Sequence, residues 1–201
     1  MQGSSLRRQF VLAGLLTGTL LLGACDRSSP PAFHGKDITG ASFGRDFRLT
    51  DPDGKERTLA DFRGKAVAVF FGFTQCPDVC PTALARAVEV KRLLGADAAR
   101  FQVLFITVDP ERDTPAVLKA YTAAFDPSFL GLYGTPQRLA DTATEFRAIY
   151  RKVPTGASYS MDHTSSTYVY DPRGVLRLQL PHALGAHEFA ADIRTLLKPT
   201  R

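Results

Sequence analysis

Two stretches of the chain are apolar almost without interruption: Ala66 to Phe71, and Phe101 to Val108. Runs of that length and character predict strands buried on both faces. Between them, Leu84, Val88 and the Lys91–Leu94 segment recur at helical spacing, so Thr82 to Leu94 is predicted as a helix. Strand, helix and strand in that order form a βαβ unit with a right-handed crossover. Thr114–Pro115 and Thr135–Pro136 each offer a capping side chain followed by a proline suited to a first helical turn, and they predict two further helices. Asp51–Pro52–Asp53–Gly54 separates Phe43–Leu49 from Glu56–Leu59, and Asp171–Pro172–Arg173–Gly174 separates Thr164–Tyr170 from Val175–Leu180. Each reads as the turn of an antiparallel hairpin. Glu188 to Leu197 is amphipathic and closes the chain as a helix. The order predicts an α/β, thioredoxin-like sandwich with added N-terminal and C-terminal β-hairpins, one domain over 41–201.

The first residues stand apart from that pattern. Arg7–Arg8 precede an uncharged apolar run from Phe10 to Leu22. The run is shorter than the roughly 20 residues of a membrane-spanning helix. Its basic start and modest length read as an export signal. It ends in Leu22–Gly23–Ala24–Cys25, which resembles a bacterial lipobox and implies cleavage before Cys25 and acylation of its sulfur. Residues 1–24 are thus expected to be a lipoprotein signal peptide, and 25–40, with Ser28–Ser29–Pro30–Pro31, a membrane tether. Asp26 after the cysteine fits retention at the periplasmic face of the inner membrane, and export by the Sec or the twin-arginine route stays open.

Charge adds a negative result. The formal charge of +5 falls to about +3 once Arg7 and Arg8 leave with the signal, and no basic run remains. Nucleic-acid binding asks for a clustered basic face, and none is visible.

With Cys25 acylated, two of the three encoded cysteines stay free as thiols: Cys76 and Cys80. In an oxidising compartment such a pair forms a disulfide unless it is reduced or metallated. It would close a loop of only three residues, so its worth as a staple is small. A chain that is 44% apolar, with about 165 residues beyond the tether, can build its own core. The pair therefore reads as chemistry. It falls between the first buried strand and the first helix, at the carboxyl end of the strand, where open α/β sheets place ligand sites. Pro81 suits a first helical position, which puts Cys80 near the N-cap, where free N–H groups and the helix dipole favour a thiolate. Three residues between the sulfurs, against the two of a thioredoxin-type motif, leave room to open around an ion. Two thiolates select soft ions, and two cysteines are too few for an iron–sulfur cluster. Copper, zinc or redox chemistry remain.

Three segments, FFGFTQCPDVCPT, TVDPERDTPAVLKAY and YSMDHTSSTYVYDPRG, with the upstream DFRLTDPDGKERTLADFRGK, together resemble the SCO/SenC family of copper-binding assembly proteins for cytochrome c oxidase. That resemblance implies copper, as Cu(I) or Cu(II), held by Cys76, Cys80 and His163, and a redox pair in Cys76 and Cys80 that forms a disulfide when oxidised. It implies cytochrome c oxidase subunit II as partner, with other periplasmic copper chaperones and thiol reductants beside it. A chaperone that delivers copper to the binuclear centre is the leading expectation. A thiol–disulfide oxidoreductase that reduces the oxidase's copper-site cysteines without carrying metal is the alternative. A peroxiredoxin-like reading fails, because Thr74–Gln75–Cys76 lacks the Thr-x-x-Cys spacing. His163 is expected in a loop around Gly156, Ser158 and Ser160, folded over the cysteines. His34, His182 and His187 are expected to have surface or packing roles.

Overall fold

The computed structural model describes residues 32–199. In chain order the strands are β1 (Lys36–Asp37), β2 (Leu49–Thr50), β3 (Glu56–Arg57), β4 (Ala66–Gly72), β5 (Phe101–Thr107), β6 (Leu130–Leu132), β7 (Tyr150–Thr155), β8 (Ser158–His163), β9 (Thr167–Tyr170) and β10 (Leu176–Leu180). The α-helices are α1 (Val79–Leu94), α2 (Pro115–Phe125), α3 (Pro136–Glu145) and α4 (Ala186–Leu197). Cys25 and the signal segment lie outside the described residues. Among the described residues no helix is long and apolar enough to cross a membrane.

A mixed sheet in the order β1-β10-β9-β4-β5-β6 forms the centre. The two apolar runs are its middle: β4 and β5 pair in parallel from Ala66↔Phe101 to Gly72↔Thr107, and every residue of both is buried. β6 continues in parallel beyond β5, while β9 runs antiparallel to β4 on the other side. β10 alternates buried leucines with half-buried Arg177 and Gln179, the period of a strand with one covered face. α1 packs along α4, and α2 packs against β6. The aromatic rings of Phe71, Phe146 and Tyr168 meet edge to face at 5.3–6.3 Å, a geometry that favours ring pairs. This is the thioredoxin-like α/β arrangement that the pattern predicted.

The small strands depart from it. Within the segment read as tether, Lys36–Asp37 pair with β10 as its outer neighbour, and the N–H groups of His34 and Gly35 donate to the buried Asp192 carboxylate at 2.9 Å. The segment around Ser158 is a strand rather than a loop, and β7 and β8 form a ribbon of their own. Tyr150 pairs with His163 at its base.

Candidate metal centre

β4 ends at Gly72, whose place in the sheet is dictated by closeness. A Cβ there would stand 2.8 Å from Cys80 Sγ and 2.7 Å from the Phe105 ring. Beyond it the chain turns, with the Cys76 N–H donating to the Phe73 carbonyl at 3.2 Å. α1 begins two residues earlier than Pro81 suggested. Asp78 is the N-cap, Cys80 is the second helical residue and Pro81 the third. A proline fits there because the first N–H groups of a helix have no partner within it.

That shift changes the electrostatics. Cys80 is fully buried, and burial pushes its thiol well above the ordinary value, with the neighbouring Cys76 sulfur adding to the rise. At Cys80, burial thus works against the thiolate that a helix start favours. Cys76 is the half-buried member of the pair, and its sulfur accepts the Cys80 N–H at 3.4 Å.

β8 supplies the third group. His163 Nε2 lies 3.5 Å from Cys80 Sγ. Its Nδ1 is 3.1 Å from the Thr164 carbonyl, which can only accept, so the ring proton sits on Nδ1 and the Nε2 lone pair faces the sulfur. Phe70 and Phe73 meet the imidazole edge to face at 5.9 and 5.8 Å and fix its plane. Burial pushes the His163 pKa down, against the upward pull of the Thr164 carbonyl and Asp162, so the ring is neutral and free to ligate near pH 7. One sulfur from Cys76, one from Cys80 and one nitrogen from His163 all lie within 4.8 Å of one another. An S₂N set with that spacing fits a soft or borderline ion such as copper, and binding would expel the thiol protons. Structure thus brings together the three residues that resemblance selected. His34 and His187 are exposed and His182 is half-buried, and none of them joins a ligand group among the described residues.

The segment after β5 does more than cap a helix. Thr114 caps α2 as predicted, its side chain accepting the Val117 N–H. But the buried carboxylate of Asp113 also accepts the N–H and hydroxyl of Thr74 and the hydroxyl of Thr107, the hydroxyls at 2.6 Å. Asp113 thereby ties the start of the cysteine loop to the end of β5. A carboxylate directly before a Thr-Pro helix start was the only sequence sign of this.

A thioredoxin-like α/β protein with a Cys-Cys-His group at the carboxyl end of its central strands is the class that fold and site define. The SCO1/SenC family model matches residues 35–198, and the chain belongs to that family. The copper-bound structure of Bradyrhizobium japonicum ScoI is 41% identical, with a TM-score of 0.69 over 82% of this chain and 99% of that one. BsSco, described as a member of the Sco family of cytochrome c oxidase assembly proteins with a disulfide switch, is 25% identical, with a TM-score of 0.64 over 83% of this chain and 99% of that one. The mitochondrial SCO2 homologue of Bos taurus is 39% identical over 153 residues, which are 74% of this chain and 58% of that protein. Sco structures are thus known with copper bound, and the Cys76–Cys80–His163 group can hold copper here.

Proposed function

We propose that this chain is a copper chaperone of cytochrome c oxidase assembly, carrying copper on Cys76, Cys80 and His163 and passing it to the binuclear copper centre of oxidase subunit II. The observation that carries this reading is the convergence of two sulfurs and an imidazole nitrogen within 4.8 Å. Three protein ligands leave a coordination position open, which a donor needs if its cargo is to move to a partner. The lipobox-like run ending at Cys25 supports action from the periplasmic face of the inner membrane, with residues 1–24 as leader and Cys25 as anchor.

One observation favours a second role for the same sulfurs. Cys76 is the more accessible thiol of the pair, and its sulfur accepts the Cys80 N–H. A thiol–disulfide reductase acting on the oxidase's copper-site cysteines would use Cys76 to attack and the buried Cys80 to resolve.

Copper stoichiometry and thiol counting on protein purified under reducing conditions separate the two roles. About one copper per chain with both thiols present supports the chaperone, and metal-free protein with an active dithiol supports the reductase. His163→Ala is expected to weaken Cu(II) binding by about tenfold or more and to alter the Cu(II)–thiolate absorption, while Cu(I), satisfied by two thiolates, suffers less. His182→Ala and His187→Ala should change neither. An unaltered Cu(II) spectrum in His163→Ala would remove it as a ligand.

A further inference from the structure

The ribbon that carries His163 pairs only with itself among the described residues, so its strands borrow no register from the central sheet. Beyond the three-residue link from β8 to β9, its placement against the cysteine loop comes from side chains. Arg112, in the segment after β5, reaches both. Its Nε donates to the buried Asp109 carboxylate at 2.5 Å. Its Nη1 donates to Gln75 Oε1 at 3.1 Å, one residue before Cys76, and to the Tyr159 carbonyl at 2.8 Å, four residues before His163. The guanidinium lies 3.7 Å from the centre of the Tyr159 ring, and the Tyr159 hydroxyl donates to the other Asp109 oxygen at 2.8 Å. Arg112 Nη2 is buried without a partner among the described residues, an arrangement that costs free energy and that a lysine would avoid.

We infer that Arg112, held by Asp109, is a positioning residue: a clip that sets the distance between the sulfur pair on the cysteine loop and the imidazole on the β7–β8 ribbon. The inference rests on the copper reading of the site. Only a planar fork can bond Asp109, Gln75 and the Tyr159 carbonyl at once while stacking on a ring. Cu(II), which needs the nitrogen ligand, depends on that distance. Cu(I), held by two thiolates of one loop, does not.

The test is titration of the full chain with Cu(II) and with Cu(I) in Arg112→Lys and Tyr159→Phe, each alone and in a His163→Ala background. Arg112→Lys keeps the charge that Asp109 needs, so neither the ion pair nor the field at the copper changes sign, and only the fork is lost. It is expected to lower Cu(II) affinity about tenfold and to shift the Cu(II)–thiolate band, with Cu(I) affinity changed by less than about threefold. Tyr159→Phe, which removes a single hydroxyl, should move the same readouts in the same direction by a smaller factor. In the His163→Ala background both substitutions should be silent toward Cu(II). Native Cu(II) binding in both single variants overturns the clip. A Cu(II) loss that persists without His163, or an equal loss of Cu(I), also overturns it by making the residues merely structural. Should Arg112→Lys not fold, Tyr159→Phe decides by the same comparison. Failure of the copper reading itself has a different mark: His163→Ala alone would leave Cu(II) binding native.

Discussion

At the scale of single residues, the site is held by closeness as much as by hydrogen bonds. Gly72, Cys80 and Phe105 occupy one tight corner, and Cys80 and Phe105 are both fully buried. A new methyl group there can be admitted only if the Cys80 sulfur or the Phe105 ring shifts. Gly72→Ala is therefore expected to displace the Cys80 sulfur from its present 3.5 Å contact with His163. The overpacking should cost about 1–3 kcal/mol, and copper affinity should fall with it. Thermal unfolding and copper titration of the variant check this, and a native melting temperature with native affinity would show that the corner has slack. Tyr121 packs against Phe105, ring centres 5.5 Å apart, which leaves that ring little room to tilt.

At the scale of elements, two turns share one construction. In Asp171–Pro172–Arg173–Gly174, one Asp171 oxygen accepts the N–H groups of Arg173 and Val175 at 2.9 and 3.1 Å, and the other accepts the Arg173 guanidinium at 2.9 Å. In Asp51–Pro52–Asp53–Gly54, Asp51 takes the N–H groups of Asp53 and Lys55 and the Arg57 guanidinium. Burial, the largest influence, would raise the Asp171 pKa, but the bonds from Arg173 and Val175 together prevail and hold it below its ordinary 3.8. A carboxylate with a lowered folded pKa contributes stability that is full above the unfolded value and is lost as pH falls through the folded one. Asp171→Asn is thus expected to cost about 1–2 kcal/mol at pH 7, the gap from the native chain narrowing below about pH 4. Denaturant unfolding at both pH values measures it, and a gap that ignores pH would deny the carboxylate its charge-dependent part. Elements of this kind were legible in the sequence: the Asp-Pro-x-Gly turns, the Thr-Pro helix starts, and the doubly buried runs of β4 and β5. The β7–β8 ribbon was not. It buries only Met161, includes Pro154 in β7, and turns through Gly156, at φ 63°, so it lacks the apolar alternation that marks a strand against a core. β1 and β6 are two and three residues long, too short for any periodicity. The same limit hid part of the site. The cysteine pair announced itself by spacing, whereas His163 is 83 residues further along, and Arg112, in the segment after β5, joins the cysteine loop to Tyr159 on a ribbon that pattern alone did not reveal.

At the scale of the whole molecule, strand order does the assembling. β4 and β5 are parallel neighbours, so the loops after Gly72 and Thr107 leave the same end of the sheet, and antiparallel β9 starts at that end beside β4, which puts His163, just before it, there too. Three segments distant in sequence therefore meet at the carboxyl ends of the central strands, the usual place for a ligand in an open α/β sheet. None of the three includes Cys25, and among the described residues the fully buried apolar core that supports them runs from Phe47 to Leu197. Anchoring and copper binding are accordingly expected to separate. Cys25→Ser should move the protein from the membrane to the soluble fraction while copper stoichiometry per chain stays native. One acyl chain holds a protein to a membrane only marginally, and stable attachment takes at least two such signals, which the acyl chains of a lipoprotein would provide together. Fractionation followed by metal analysis of both fractions makes the measurement. Membrane association that survives the substitution would mean that the apolar run from Phe10 to Leu22 anchors the chain uncleaved, and a loss of copper on release would tie Cys25 to the metal centre after all.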